Sequence, residues 1–236
     1  MDSHINEINF FWSGDNFDYI CYMCITSHIR VGHIVNIWLY GNTPSSSYWG
    51  MLDFNSINIY DASDVFDISN FMKNKDANFR TASAMWRFHF LYEYGGWYSD
   101  TDAFAIKQWP TDKWVLCSGE TDEELLSIGI LKTPPKQQMF LDMIDNIKHK
   151  WGNVKVFNKY FRKYHKYSIK PYPSFDFYPF SWKDWEIMLS SISVPECYSV
   201  HLYNTMIQRN IGDIKKFIDE RPESLIGRLN TLISIR

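Results

Sequence analysis

Residues 78–107 read NFRTASAMWRFHFLYEYGGWYSDTDAFAIK, and this stretch decides the fold. Its first half predicts a helix over residues 80–94, with Ala84, Phe88 and Leu91 on one apolar stripe at helical spacing. Gly95 and Gly96 stop that helix, because glycine takes the left-handed cap without a Cβ penalty. Trp97 onward predicts a strand. Alternate residues of an extended chain share a face, so Tyr98, Asp100, Asp102, Phe104 and Ile106 are expected to point one way. Two carboxylates two residues apart between apolar positions are not a solvated charge run.

Upstream, the pattern alternates between strand and helix. Residues 6–12 predict a short strand that stops at the turn-forming Ser13, Gly14, Asp15 and Asn16. Residues 17–30 predict a helix through Ile20, Cys24 and Ile25, with Gly32 as its stop. Residues 33–40 (HIVNIWLY) form a near-continuous apolar run, as expected of a strand covered on both faces. Residues 41–47 read as a loop and residues 56–60 as a third strand. This order predicts an α/β fold with a mainly parallel central sheet flanked by helices. Such sheets bind ligands at the carboxyl ends of their strands. Those ends carry Phe11, Trp12, Ser13 and Gly14 in one strand and Asp61 and Ala62 in another.

The chain has 236 residues, 45% apolar and 22% charged with a net charge of -3, which suits one large globular domain. The slight acidity argues against a nucleic-acid partner. No apolar run reaches the roughly 20 residues of a membrane span. The opening MDSHINEINFFW lacks a basic n-region, so no signal peptide is predicted and the expected location is cytoplasmic. Cys21 and Cys24 form a Cys-x-x-Cys, but their surroundings are apolar and no second ligand pair follows. We expect buried helix cysteines there. Of the histidines, His4, His28, His33, His89, His149 and His165 show no partner pattern and receive no role.

Carboxylates at i and i+2 on one strand face stand about 7 Å apart. They suit a hard divalent ion, Mg²⁺ or Mn²⁺, whose shell water and phosphate oxygens complete. The residues alone leave a second reading open, a strand-end pair held by backbone or by Lys and Arg.

The string Arg87, Gly95, Gly96, Tyr98, Asp100, Asp102, read as R-x8-G-G-x-Y-x-D-x-D, resembles the sugar-nucleotide site of family 32 glycosyltransferases and the catalytic domain of the large glucosylating toxins. Phe10 to Gly14 is similar to the first strand of that group, and His201-Leu202-Tyr203-Asn204 to its late His-containing segment. The resemblance implies a single GT-A-like domain over residues 1–236, with a nucleotide-sugar half (1–107) and an acceptor-side, helical half (108–236). It implies a retaining transfer from a nucleotide-diphospho-sugar, UDP- or GDP-linked, to a glycan or other hydroxyl acceptor, with Mn²⁺ or Mg²⁺, as in polysaccharide or glycan biosynthesis. Carried over by position, Trp12 stacks on the base with Phe11 beside it, and Arg87 reaches the phosphates or donor sugar. Tyr98 lines the same pocket. Asp100 binds ribose, donor sugar or the metal shell, Asp102 ligates the metal, and His201 completes the shell. Asp61, from its strand end, is expected at base or ribose. The family often has an Asp three residues before the Arg; here that position is Ala84, so a donor-sugar contact is missing or comes from elsewhere.

Each residue also has a plainer reading. Trp12 can close a strand end in the core, Arg87 can pair with Glu93 or Asp100, and His201 can be an ordinary satisfied histidine. In the second half, residues 136–151 and 155–164 predict helices carrying basic residues at 148, 150, 155, 159, 162, 163 and 166. These form a solvated face or attract an anionic acceptor or membrane surface. Residues 171–185 (PYPSFDFYPFSWKDW) predict an aromatic loop, either an acceptor wall or a lid over the core. Residues 197–200 predict a strand just before His201, and residues 205–235 two amphipathic helices broken near Arg221 and Pro222. Competing functions are a metal-dependent hydrolase or phosphotransferase and a non-catalytic nucleotide-sugar-binding module.

Overall fold

In the computed structural model, residues 6–73, 79–119, 125–146, 153–165 and 168–234 are described. His4, His149 and the basic residues at 148, 150 and 166 lie outside them. The chain opens with β1 (Glu7–Ser13), α1 (Tyr19–Arg30) and β2 (Ile34–Tyr40), then a single turn α2 (Ser47–Gly50) and β3 (Ile57–Asp61). The α1 helix starts where the Asp18 side chain accepts a hydrogen bond from Cys21 N, and it ends before Gly32 at φ 83°. A second short turn, α3 (Ser69–Met72), leads to α4 (Phe79–Glu93) and β4 (Gly96–Ser99). Gly95 and Gly96 both take positive φ, and a Cβ at Gly95 would run into the Pro134–Pro135 backbone.

After β5 (Ala103–Ala105) and β6 (Ile130–Thr133), five strands form the central sheet in the order β3-β2-β1-β4-β6. The β3–β2, β2–β1 and β1–β4 pairs are parallel, and β6 closes the edge antiparallel to β4. Side-chain alternation along β1 sends Phe10 to one face, with Ile25 and Ile37, and Phe11 to the other, with Trp86 and Phe140. The next helices, α5 (Gln138–Asn146) and α6 (Asn153–His165), extend the second core. Lys155, Lys159, Arg162 and Lys163 of the basic cluster lie on the exposed side of α6, and Lys163 pairs with Asp142 at 3.0 Å.

The aromatic segment 171–185 holds one turn, α7 (Ser174–Phe177), and the start of a 3-10 stretch (Trp182–Leu189). Phe177, Tyr178 and Trp185 are buried, so part of the expected loop is core. Then β7 (Ser199–His201) pairs antiparallel with β5 as a separate two-stranded sheet. The tail forms three helices rather than two: α8 (Asn204–Asn210), α9 (Ile214–Glu220) and α10 (Leu225–Ser234). The unforeseen break has its own start signal, since the Asp213 side chain caps α9 at Lys216 N. The third core joins α1, β5, β7 and these helices.

One expectation is overturned at the centre. Residues 97–106 are not one strand with a shared face. The chain leaves the main sheet after Ser99, turns through Asp100 to Asp102 with Ala103 N donating to Asp100 O, and enters the second sheet. Ser-Asp-Thr-Asp consists of turn-favouring residues, and that local chemistry outweighs strand alternation.

Candidate active site at the junction of two sheets

The turn brings the two acids closer than a strand would. One ligand atom each from Asp100, Asp102 and His201 lies within 4.8 Å of the others. Asp100 and Asp102 line a cleft of about 380 Å³ together with Phe11, Trp12, Ser83 and Asn204, and His201 lines an adjoining cavity that shares Asp102. The cleft lies at the carboxyl end of β1 and β4, where an α/β sheet takes its ligand.

Asp100 is held from behind. Its Oδ1 accepts from Arg87 Nη2 at 2.6 Å and from Tyr98 OH at 2.9 Å. Arg87 also donates to Tyr98 OH at 3.0 Å and to Ile128 O at 2.6 Å. It is 5% exposed on the inner face of α4, where it meets Tyr98 from β4 and the Ile128 carbonyl from the segment just before β6. Burial works against its charge, and Asp100 and Tyr98 more than offset that, holding the guanidinium above its usual range. Burial raises the Asp100 carboxyl and the Tyr98 phenol; Arg87 opposes both shifts. Gly129 permits this packing, since a Cβ there would lie 2.8 Å from Asp100 Oδ2 and 2.9 Å from Tyr178 OH. Of the two structural pairings read for Arg87, the one with Asp100 forms; Glu93 instead pairs with Lys136.

Asp102 is held from the side by the distant end of the chain. Its Oδ2 accepts from Asn204 N at 3.0 Å, and its Oδ1 stands 3.2 Å from His201 Nε2. His201 ends β7, one residue later than the predicted strand, and β5–β7 pairing puts it opposite Ala103. Tyr203, between them, takes a left-handed backbone at φ 51°, unusual for a bulky residue, and its hydroxyl donates to Phe180 O. That turn presents Asn204 to Asp102. His201 Nδ1 and Asn204 Oδ1 are buried and make no hydrogen bond among the described residues. Two carboxylates, an imidazole and an unpartnered amide oxygen suit a hard or borderline divalent ion such as Mg²⁺ or Mn²⁺.

Trp12 is half-buried, donates from Nε1 to Gly14 O and leans edge-on against Phe17. It lines both the cleft and an adjoining hollow bounded by Asp15, Asn16 and Asp18. Phe11 packs on Trp86 and reaches the cleft with its remaining edge. Asp61 is exposed, caps the following turn at Ser63 N, and is not among the cleft-lining residues. Ala84 faces the core at 2% exposure, and it is Ser83 that faces the cleft. Sequence reading overlooked Arg80, Ser83, Thr205 and Gly129; only the isolated glycine among apolar neighbours carried a signal, close backbone approach.

Cys21 and Cys24 are buried in α1, and burial raises both thiols well above their usual range. Cys21 Sγ packs under the turn, 3.7 Å from Thr101 Oγ1 and from Asn204 Nδ2. Asp18, the α1 cap, also accepts from Asn204 Nδ2, so α1 braces the late segment. No helix among the described residues is long and apolar enough to cross a membrane.

No curated protein matches the chain by sequence. Among solved structures it is similar to the PaToxG glycosyltransferase, with 15% identity, 68% of this chain and 69% of that one covered, and a TM-score of 0.48. It is also similar to the glycosyltransferase GlyE of Streptococcus pneumoniae TIGR4, with 10% identity over 98% of this chain and a TM-score of 0.51; it spans 60% of that chain. At such identity the second likeness shows the fold alone. Residues 7–118, which carry the cleft's Trp12, Arg87, Asp100 and Asp102, match the family described as glycosyltransferase sugar-binding region containing DXD motif.

Proposed function

We propose that the chain transfers a sugar from a nucleotide-diphospho-sugar to a hydroxyl acceptor with retention of configuration, using Mn²⁺ or Mg²⁺ held by Asp102, His201 and the Asp100 side of the cleft. The observation that carries this reading is the convergence of Asp100, Asp102 and His201 within 4.8 Å beside an accessible Trp12. A divalent ion bound there supplies charge neutralisation for the departing diphosphate. Trp12 stacks on the base. Arg87 fixes the carboxylate of Asp100 so that it does not reorient as charge develops, and such preorganisation is commonly the largest catalytic contribution. The backbone N–H of Asn204 does the same for Asp102.

Retention rests on the family resemblance. Attack by the acceptor on the leaving-group face is favoured over a protein nucleophile, because both acids at the cleft floor already have partners, Asp100 in Arg87 and Asp102 in Asn204 and His201.

A thermal-shift panel of UDP-, GDP-, CMP- and dTDP-sugars with and without Mn²⁺ tests the reading. A ligand of the folded state at a hundredfold excess over Kd stabilises it by about 2.7 kcal/mol. For a domain of this size that is a rise of roughly 5–10 °C. One nucleotide sugar should give this shift only with the ion present. The reading fails if none shifts the transition, or if excess EDTA leaves the shift unchanged.

A further inference from the structure

Beside the donor cleft lies a second cavity of about 390 Å³, sharing Arg80, Asp102 and Thr205 with it and completed by Trp182, His201 and Arg209, the last of which also borders the hollow of Asp15 and Asp18. Its chemistry differs from that of the donor cleft. Arg80 and Arg209 are exposed, and among the described residues neither guanidinium has an ion-pair partner. The Trp182 ring is 47% exposed, although Phe177, Tyr178 and Trp185 of the same segment are buried. Among the described residues Asp102 is the one carboxylate on the wall, and it already meets His201 and Asn204 N, so two cations face one partnered anion. Asp100, the other acid of the cluster, is already matched by Arg87.

From this geometry, and resting on the glycosyltransferase reading above, we infer that this cavity is the acceptor subsite and that it selects an anionic saccharide, one carrying a carboxylate or phosphate. The guanidinium fork matches either group with paired hydrogen bonds. The exposed indole offers a flat apolar face to the sugar ring, and the shared Asp102 wall keeps the acceptor hydroxyl next to the donor. A neutral sugar offers both guanidiniums hydroxyl acceptors but no opposite charge.

Calorimetric titration of the full chain with methyl glucuronide, glucose 6-phosphate, methyl glucoside and inorganic phosphate tests this. Both anionic sugars should bind at least tenfold tighter than methyl glucoside. Arg80→Gln and Arg209→Gln should each remove most of that preference, and Trp182→Ala should weaken all three sugars alike. Melting temperatures of the variants, whose sites are exposed, report that the fold is retained. Equal binding of neutral and anionic sugars overturns the inference. So does inorganic phosphate binding as tightly as glucose 6-phosphate, which would show an ion site without a place for the ring. If the arginine variants instead weaken UDP with Mn²⁺ and leave the sugar preference untouched, the arginines serve the donor and the inference falls. Failure of the donor reading shows separately, as the absence of a Mn²⁺-dependent nucleotide-sugar shift in the unaltered protein.

Discussion

Asp100 and Asp102 stand two residues apart on one turn, yet their surroundings are opposite. Asp100 meets a buried guanidinium, a buried phenol and a glycine with no room for a side chain. Asp102 meets a backbone N–H and an imidazole, both brought from about a hundred residues away. The first acid belongs to a network that α4, β4 and β6 complete among themselves. The second is assembled only when the late segment docks on α1 and β5. On the proposed reading, loss of the first acid should disturb the fold more than loss of the second, which should act mainly on the chemistry.

The largest expected effect separates the two. Asp102→Asn should lower transfer by about 10²–10³-fold or more, the scale of a lost electrostatic contact in a transition state. Its amide oxygen can still accept from Asn204 N, so urea unfolding should shift by less than about 1 kcal/mol. A comparable loss of stability and activity would erase the distinction.

Arg87→Met attacks the other side. It takes the guanidinium away from Asp100, Tyr98 OH and Ile128 O, leaving Asp100 Oδ1 the Tyr98 hydroxyl. Because the Asp100 side chain is 33% exposed, the loss should fall below the roughly 3–5 kcal/mol of a fully buried pair broken from one side, and Arg87→Met with Asp100→Asn should recover part of it. Denaturation midpoints of the single and double variants decide this.

Acid pH should loosen the floor beneath Asp102. His28 Nδ1 lies 3.0 Å from His33 Nδ1, His28 Nε2 lies 3.2 Å from Ala103 O, and Trp109 N donates to His33 Nε2. This chain requires both rings neutral. Burial depresses His28 well below its usual value and His33 to about 4. Above the unfolded value near 6.5 the contribution is complete. As pH falls below it, the unfolded chain binds protons that the folded chain refuses, and stability declines until His33 itself protonates near 4. For His33 alone the loss at pH 5 is about 2 kcal/mol. An imidazole NMR titration with its midpoint near 6.5 would contradict the buried neutral pair.

The smallest effect concerns His201. His201→Ala should weaken Mn²⁺ by about 10–100-fold, the range for a disturbed metal shell, and added Mn²⁺ should partly restore turnover. Unchanged metal half-saturation with reduced turnover would move His201 from the metal to the substrate.

Legibility followed the range of the interactions. The β1, α1, β2 and β3 elements fell within a residue or two of their predicted limits because apolar runs, the Gly32 stop and the turn residues act locally. The α4 helix and its glycine stop were equally plain, as were the buried cysteines. The strand predicted over residues 97–106 is broken because the turn chemistry of Ser-Asp-Thr-Asp overrides the alternation on either side. In the tail, the Asp213 cap was the overlooked sign.

Sequence alone determined the α/β layering, the two acids and the aromatic end of β1, since hydrophobic period and turn chemistry are written in neighbouring residues. Only the tertiary structure decided that Arg87 serves Asp100, that Asn204 and His201 serve Asp102, and that Asp61 stands outside the cleft. Those outcomes depend on which buried polar groups find partners across long separations, and no local pattern records that.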